Sequence, residues 1–538
     1  MLYSLSFILI VAFIVRTIRL TFYHTYLWQL KEYRLDRYWI FLKSPLGKKL
    51  LLHPLNLLKW ILLIIIYGAS LFNILSKREV LLFPVIIYAF YIFWAVWLLE
   101  LILGIKDIFL KRWRIPEITT KSLLIIVSVL LIQFSSMINI FWMAPLLLGP
   151  ILDKILAPCV AIVVQVLNIP VYFIKKYIYY KAKVKLRRML KTEVIGITGS
   201  FGKTSVKMFL AQILSSKYLV SHTPGSFNTE IAIARHIMRL PFNADFFIVE
   251  MGAYKKGEIK NICRLVNPHI ALITGLGSQH LELFGSQQNL FNAKFELIEN
   301  LPRNGLAVIN RHNSRMNTFI DKTEKIIKKV LVVDKTKMVR NLKVYKSFLQ
   351  FELKIGTRIH KFRANLAGEQ NVENLILAII TAHQLNVSIE DIKKSVLKLN
   401  PCRQTMQIVK SGRKLTLIDD TFNVNFEAVR AALNYLKLYN GLRVLFLNPL
   451  IELGDKNSSL HEEIGTLSGD VCHYLITTNM NSFKNLSLGI SKSDNKLTKL
   501  IPAGKNVVEK IQKDLKENSV ILFSGKESSK WIPYFKDF

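Results

Sequence analysis

"VIGITGSFGKTSVK", Val194 to Lys207, decides how this chain is read. The apolar run Val194 to Ile197 has strand character and breaks into a loop holding Gly199 and Gly202. Lys203, Thr204 and Ser205 follow, and then an apolar-periodic stretch that predicts a helix. Glycines let backbone N–H groups turn toward phosphate, and the helix N-terminus adds its dipole. Lys203 is placed to reach outer phosphates, and the Thr204 hydroxyl to hold Mg²⁺. The strict G-x-x-x-x-G-K-[ST] pattern fails, because Ile197 stands where its first glycine belongs. The alternative is a glycine turn that binds nothing; the strand before and the helix after weigh against it.

Upstream of the loop the composition changes. The chain has 538 residues, 51% of them hydrophobic. Residues 1–190 hold 24 Lys+Arg against 7 Asp+Glu, a net of +17, which leaves +19 of the total +36 for the remainder. Five apolar segments lie there: about 2–15, 51–75, 80–105, 122–148 and 155–174, the last with Pro158 and Pro170. A span needs roughly 20 predominantly apolar residues, so four or five transmembrane helices are expected. The first segment has its basic residues after the apolar run and no small-residue cleavage site, so it reads as an uncleaved span. Stretch 16–50 carries eight basic residues, and link 105–121 carries Lys106, Lys111, Arg112, Arg114 and Lys121, against Lys77 and Arg78 at 76–79. The asymmetry puts 16–50 and 105–121 in the cytoplasm, with everything after residue 175 inside, at the inner (cytoplasmic) membrane. The run "KKYIYYKAKVKLRRMLK", 175–191, suits an anionic headgroup surface, with a solvated linker helix as the alternative. The basic balance points to lipid or an anionic substrate; without a nucleic-acid-binding motif, no nucleic acid is expected as partner. Cys159, Cys263, Cys402 and Cys472 are scattered, so neither a disulfide framework nor a cysteine metal site is expected.

Downstream, short apolar runs alternate with helical patterns. "EVIGIT", "FFIVEMG", "IALITG", "LAVIN" and "VLVVD" read as strands, and "NLFNAKFELIENL" as a helix between them. The segment 344–363 reads as a hairpin, and helices at 372–385 and near 389–397 close this unit. A second alternation begins after Pro401 with "LTLIDD", "RVLFLN", "YLITT" and "SVILFSG". The fold class is therefore an α-helical membrane region, 1–190, followed by two α/β domains with mainly parallel sheets, 191–400 and 401–538.

Several motifs follow the loop in fixed order: "TPGSFNTEI" at 223–231, "VEMGAYKKGEI" at 249–259, "ITGLGSQHLELFGS" at 273–286 and "AKFELIENLP" at 293–302. "GEQNVENLILAI" at 368–379, "LIDDTFNVN" at 417–425 and "LHEEIG" at 460–465 complete the set. Together with "TGSFGKTS" they resemble the Mur ligases, the ATP-dependent amide ligases of cell-wall precursor synthesis, and most of all their D-alanyl-D-alanine-adding branch. The resemblance implies a P-loop central domain, a Rossmann-like C-terminal domain, and ATP with Mg²⁺ as cofactors. It implies a reaction in which a substrate carboxylate becomes an acyl phosphate that an amine then attacks.

Residue by residue, the resemblance makes Thr198, Gly199, Ser200, Gly202, Lys203, Thr204 and Ser205 the nucleotide loop. It makes Glu250 a Mg²⁺ carboxylate and His280 a metal-site histidine. Lys294 matches the lysine that the family carbamylates, whose anion supports a second Mg²⁺; Lys203, His280 and Lys294 are thus the catalytic set. Asn374, with Asn371 beside it, matches an adenine contact, although both are equally good helix-start caps. Arg403 matches a phosphate contact across the domain cleft and Asp420 a ribose contact; Thr223, Asn228 and Glu230 lie in a stretch lining the site.

The departures are instructive. "GR" is Cys402-Arg403 here, Phe422 and Phe426 replace Tyr and Pro in the "DDTFNVNF" stretch, and Asn448-Pro449 replaces Gly-Asp. The last two fall in the domain that presents the amine, which leaves the amine open between an amino acid and a dipeptide. The family's N-terminal module grips the UDP end of its substrate; here the membrane region stands in that place. The anionic, muramoyl-peptide-like acid is therefore either lipid-linked, with membrane lipid a partner, or UDP-linked. A ligase for another polymer, such as a poly-γ-glutamate chain, an ATP-driven transporter and a non-catalytic scaffold are the alternatives. The transporter lacks an L-S-G-G-Q signature and leaves His280 and Lys294 unexplained; the scaffold leaves the whole intact set unexplained.

Overall fold

The computed structural model describes residues 2–76, 82–109, 113–141, 145–277, 284–450, 453, 456–495 and 498–536. The links carrying Lys77, Arg78, Lys111 and Arg112 lie outside them. The chain divides into two compact units, Met1–Lys175 and Lys176–Phe538.

The first unit is helical: α1 (Leu2–Leu30), α2 (Leu35–Lys43), α3 (Pro45–Leu51), α4 (Pro54–Ser76), α5 (Phe83–Phe109), α6 (Thr120–Phe141) and the start of α7 (Pro145–Arg188). By length and composition, three helices among the described residues can cross a membrane: Pro54–Ser76, Phe83–Asp107 and Ile151–Arg188. Within α6, the stretch Thr120–Ser136 is apolar as well. The first apolar segment does not stop at Val15; α1 runs on through Arg16 and Arg19. The fifth becomes one 44-residue helix that takes in Pro158, Pro170 and most of the basic run.

Apolar side chains fill the inside of this unit and cover its outside as well. Ile64, Ile74, Leu75, Tyr88 and Leu131 are exposed on its outside. Inside, four helices each contribute one charged side chain. Arg16 of α1 bonds Asp153 of α7 at 2.6 Å and Glu100 of α5 at 2.5 Å; Lys59 of α4 bonds Glu100 at 2.6 Å and Asp153 at 3.2 Å. Two cations and two anions close a neutral ring, which is how buried charges are tolerated in an apolar surround.

In the second unit, a six-stranded sheet is built from β1 (Glu193–Thr198), β2 (Val220–His222), β3 (Phe246–Glu250), β4 (Ile270–Ile273), β5 (Leu306–Asn310) and β6 (Lys329–Val333). Its order is β2-β3-β1-β4-β5-β6, with every pairing parallel. The connecting helices are α8 (Lys203–Leu214), α9 (Glu230–Ile237), α10 (Glu258–Val266), α11 (Gln287–Glu299) and α12 (Arg315–Glu324). Strands buried on both faces explain the unbroken apolar runs in the sequence. One face carries α9 to α12 together with Ala182 and Leu186 from the end of α7 and Met189 just beyond it, all buried in one core. So the basic run is not merely a linker: one side of it is part of the core of the second unit, while Tyr177, Tyr180, Lys181, Arg187 and Arg188 are exposed.

After a single turn, α13 (Lys335–Met338), the expected hairpin is three antiparallel strands: β7 (Val339–Val344), β8 (Leu349–Ile355) and β9 (Arg358–Ala364). Helices α14 (Gln370–Gln384) and α15 (Ile389–Leu397) pack with α8 on the other face of the first sheet. A second sheet follows, ordered β10 (Gln407–Ser411), β11 (Leu415–Asp420), β15 (Ser519–Ser524), β12 (Arg443–Leu447), β13 (Tyr474–Thr477) and β14 (Lys499–Pro502). Its strands run parallel except β10, which is antiparallel to β11. Helices α16 (Phe426–Leu436), α17 (Asn457–Val471), α18 (Phe483–Ser491) and α19 (Lys505–Asp514) cover it.

Candidate active site

In the first sheet β1 lies between β3 and β4, so the chain reverses its direction of travel across the sheet at β1. Ligands of open parallel sheets bind outside the carboxyl ends of the strands at such a point. The loop 199–202 leaves β1 there. Gly199 has φ of +152° and a Cβ would fall 2.0 Å from Thr274 Oγ1; Gly202 has φ of +74° and a Cβ would fall 2.3 Å from Asn374 Oδ1. Both positions favour glycine by conformation, and Gly199 also by space. The Ser200 N–H donates to Gly275 O at 2.8 Å, and the Thr198 hydroxyl to Met251 O at 2.9 Å, pinning the loop to the neighbouring strand ends.

The Lys203 ammonium folds back over the loop, donating to Gly199 O at 2.9 Å and Ser200 O at 3.4 Å. Burial pushes its pKa down, and Glu250 opposes that shift. Thr204 donates to Glu250 Oε2 at 2.9 Å. Glu250, 1% exposed at the end of β3, also accepts from Asn228 Nδ2 at 3.2 Å, and its N–H donates to Thr223 Oγ1. Lys294 is not a surface lysine: it is 4% exposed on α11. Burial, then the charge of Lys203, lowers its pKa to about 7. Gly199, Ser200, Lys203, Asn228, Tyr254 and Lys294 line a single pocket.

This donor set fits a magnesium–nucleotide pair. The Ser200 hydroxyl is buried and makes no hydrogen bond among the described residues, in a glycine cradle with backbone donors around it. Mg²⁺ is held by one or two carboxylates plus substrate phosphates rather than by an all-protein cage. One carboxylate and one hydroxyl bonded together match that pattern.

The other expected residues divide. Asn374 stands over Gly202, in the site. Asn371 is buried one residue inside α14 and donates to Ala367 O at 2.8 Å, so it does not cap the helix. Ser205 is buried and bonded to Cys402, so α8 reaches the segment just before Arg403, whose own side chain is exposed. Glu230 opens α9. Asp420 ends β11 in the second sheet, buried, and accepts from the Met406 N–H at 3.0 Å. Burial, with Asp419 adding to it, raises its pKa to about 8. His280 lies outside the described residues.

Three features escaped the sequence reading. Lys207, one helical turn after Lys203, is fully buried and bonds Glu250 Oε2 at 3.1 Å and Gly225 O. Glu296 accepts the N–H groups of Gly257 at 2.5 Å and Lys260 at 2.9 Å, fixing the start of α10 and with it the loop bearing Tyr254. Beside the phosphate loop, Glu373 Oε2 meets Asn310 Nδ2 at 3.0 Å and His312 Nδ1 at 2.7 Å, and His312 packs against Phe201. A polar cluster "NRHN" directly after the strand "LAVIN" was the available signal for the last.

Comparison with known proteins agrees with this geometry. Residues 197–382 match the Mur ligase middle domain. The UDP-N-acetylmuramoyl-tripeptide--D-alanyl-D-alanine ligase of Haemophilus influenzae is 28% identical over 351 residues, 64% of this chain and 75% of that protein. The same-named enzymes of Bacillus subtilis and Escherichia coli are each 28% identical, over 52% of this chain and 60% and 63% of their own lengths. The chain thus spans three quarters of one relative and less than two thirds of the other two. Among solved structures, MurF from Acinetobacter baumannii superposes with a TM-score of 0.61 at 23% identity, over 68% of this chain and 80% of that one. MurF from Thermotoga maritima, solved with ADP, gives 0.61 at 20% identity, over 68% and 83%. At such identities the structures establish the shared fold.

Proposed function

We propose that this MurF-like Mur ligase is a membrane-bound, ATP-dependent and ADP-forming amide ligase acting on a cell-wall precursor. The domains are a membrane region, 1–190, a central ATP-binding domain, 191–400, and a C-terminal domain, 401–538. The observation that carries the reading is the pocket lined by Gly199, Ser200, Lys203, Asn228 and Lys294, with Glu250 bonded to Thr204 and Asn228 at the strand end. In the reaction, a substrate carboxylate oxygen attacks the terminal phosphorus of ATP and ADP leaves, giving an acyl phosphate. An amine nitrogen then attacks the acyl carbon, forming the amide, releasing phosphate and shedding a proton. Catalysis of this kind is largely positioning and neutralisation of the transferring group.

The chain's own groups supply those functions. The loop N–H groups and Lys203 hold the outer phosphates. Thr204, Glu250, His280 and Lys294 are the residues that would hold Mg²⁺, which when bound neutralises charge on the phosphates. An amine with a pKa of about 7 is partly neutral at physiological pH, and the neutral form is the one that takes up CO₂, so the environment of Lys294 supports its carbamylation. Asn374, Arg403 and Asp420 serve the nucleotide. Membrane residence is supported by the three long apolar helices and by the large apolar side chains exposed on the first unit.

The acid substrate is a muramoyl peptide, by analogy with the named relatives, and the amine is D-alanyl-D-alanine or a related amino acid or dipeptide. The C-terminal departures bear on that amine. Asn448 packs against Gly525 and accepts from the Thr478 hydroxyl at 3.1 Å, at the strand ends of the second sheet where the relatives' motif differs. The test is phosphate release and product formation by detergent-solubilised protein, with UDP-linked and lipid-linked muramoyl peptides, each with and without D-alanyl-D-alanine. Amine-dependent release with either acid supports the ligase; ATP hydrolysis that ignores both acid and amine overturns it.

A further inference from the structure

Lys207 is an unusual presence beside a metal carboxylate. It is fully buried, as is Glu250, and its ammonium lies 3.1 Å from Glu250 Oε2. The same oxygen accepts from Thr204 at 2.9 Å, and Oε1 accepts from Asn228 at 3.2 Å. A carboxylate offers about four lone-pair sites, so three of them are occupied by protein donors. The charge of this carboxylate is also already compensated. Lys203 and Lys294 line the same pocket as the strand end, and Lys207 neutralises the acid that would attract a metal. A lone divalent ion meets a Glu250 carboxylate already paired with Lys207, whereas a nucleotide triphosphate brings negative charge of its own.

We infer that Lys207 is a positioning residue that makes the divalent-cation site dependent on nucleotide: it holds the Glu250 carboxylate compensated until phosphates arrive with the metal. This rests on the assignment of Glu250 as the metal carboxylate. A unit charge adjacent to a divalent ion is worth about tenfold or more in affinity even at the dielectric of water. Lys207 has a second bond, to Gly225 O in the 223–229 stretch, so a purely structural role is the competing account.

The experiment uses Mn²⁺ as probe, counted by its electron paramagnetic resonance signal, on the full chain in detergent and bicarbonate-free buffer. Wild type, Lys207→Met, Lys207→Arg and Glu250→Gln are compared with and without a non-hydrolysable ATP analogue, and thermal melts report folding. Without nucleotide, Lys207→Met is expected to bind Mn²⁺ about tenfold or more tightly than wild type, with Lys207→Arg resembling wild type. With the analogue present the gap narrows. A folded Lys207→Met with wild-type Mn²⁺ affinity overturns the inference and leaves Lys207 a structural tie. If that variant does not fold, wild type decides. Nucleotide-free Mn²⁺ binding as tight as in the ternary complex overturns the inference, and weak nucleotide-free binding supports it. Glu250→Gln separates the premise from the inference: it should lose protein-bound Mn²⁺ in the ternary complex, and retention there removes Glu250 from the metal site itself.

Discussion

Lys203 is enclosed by the loop it serves, with its ammonium on the carbonyls of Gly199 and Ser200. Those bonds hold the side chain over the place where outer phosphates sit. Lys203→Ala should therefore abolish amide formation and nucleotide-dependent phosphate release while leaving the melting transition and membrane insertion in place. Near-normal turnover in that variant would refute the assignment. Lys294→Ala should be inactive and partly rescued by small carboxylates. In the wild type, stripping bicarbonate should lower activity, and the bicarbonate-dependent part should grow as pH rises through about 7, where the amine becomes neutral. Full activity with no bicarbonate dependence would make Lys294 a buried structural lysine. Asp420 allows a stability test. Its pKa is raised to about 8, so the folded state keeps a proton that the unfolded chain gives up near 4. Stability from this group is complete below about pH 4, falls as pH rises toward 8, and is level above that. Asp420→Asn should flatten this part of the pH dependence of Tm; an unchanged slope would place the carboxyl in a wetter setting. The loop residues were legible because their geometry is local: glycines, lysine and hydroxyl are fixed by one strand–loop–helix. Lys207 was not, because its role depends on β3 lying beside β1, and strand order is invisible to periodicity.

Among the elements, the long helices and most buried strands were readable from unbroken apolar runs. What escaped was short or lay at an edge: β2 with three residues, β10 on the antiparallel edge, β14 on the opposite edge, and β7 as a third strand beside the hairpin. Edge strands bury one side only, so their apolar signal is weak. The helical unit hid a different feature. Arg16, Lys59, Glu100 and Asp153 are separated by 137 residues from first to last, and no local pattern predicts that they meet. Their ring is neutral, so removing one member leaves an uncompensated buried charge. Lys59→Met should destabilise this unit by about 3–5 kcal/mol, the usual result of breaking a buried pair. Lys59→Met combined with Glu100→Gln leaves the Arg16–Asp153 pair intact and should be milder than the single change. Melting or protease resistance in detergent measures both. A double variant as damaged as the sum of its singles would mean that the ring members act independently.

For the molecule as a whole, the question is what the helical unit adds to the ligase. One inserted helix already anchors a protein effectively irreversibly, so several apolar helices exceed what anchoring requires. The alternative is that they help to present a lipid-linked acid. A soluble ligase fragment discriminates between these, and its starting point matters. Beginning at Lys191 would strip Ala182, Leu186 and Met189 from the ligase core; beginning at Lys176, where the second compact unit starts, keeps them. Exposing that apolar face would produce inactivity for a trivial reason, so the Lys176–Phe538 fragment is the informative one. It should bind ATP, since all of the described pocket residues lie within it. It should nevertheless ligate the native acid poorly, even at high concentrations of a soluble UDP-linked muramoyl peptide. Adding back vesicles containing a lipid-linked muramoyl peptide should not restore the rate of the full chain, because the helices that receive the lipid are gone. Should the fragment ligate the UDP-linked peptide as fast as the whole protein does, the helical unit is an anchor and the lipid-linked substrate is wrong.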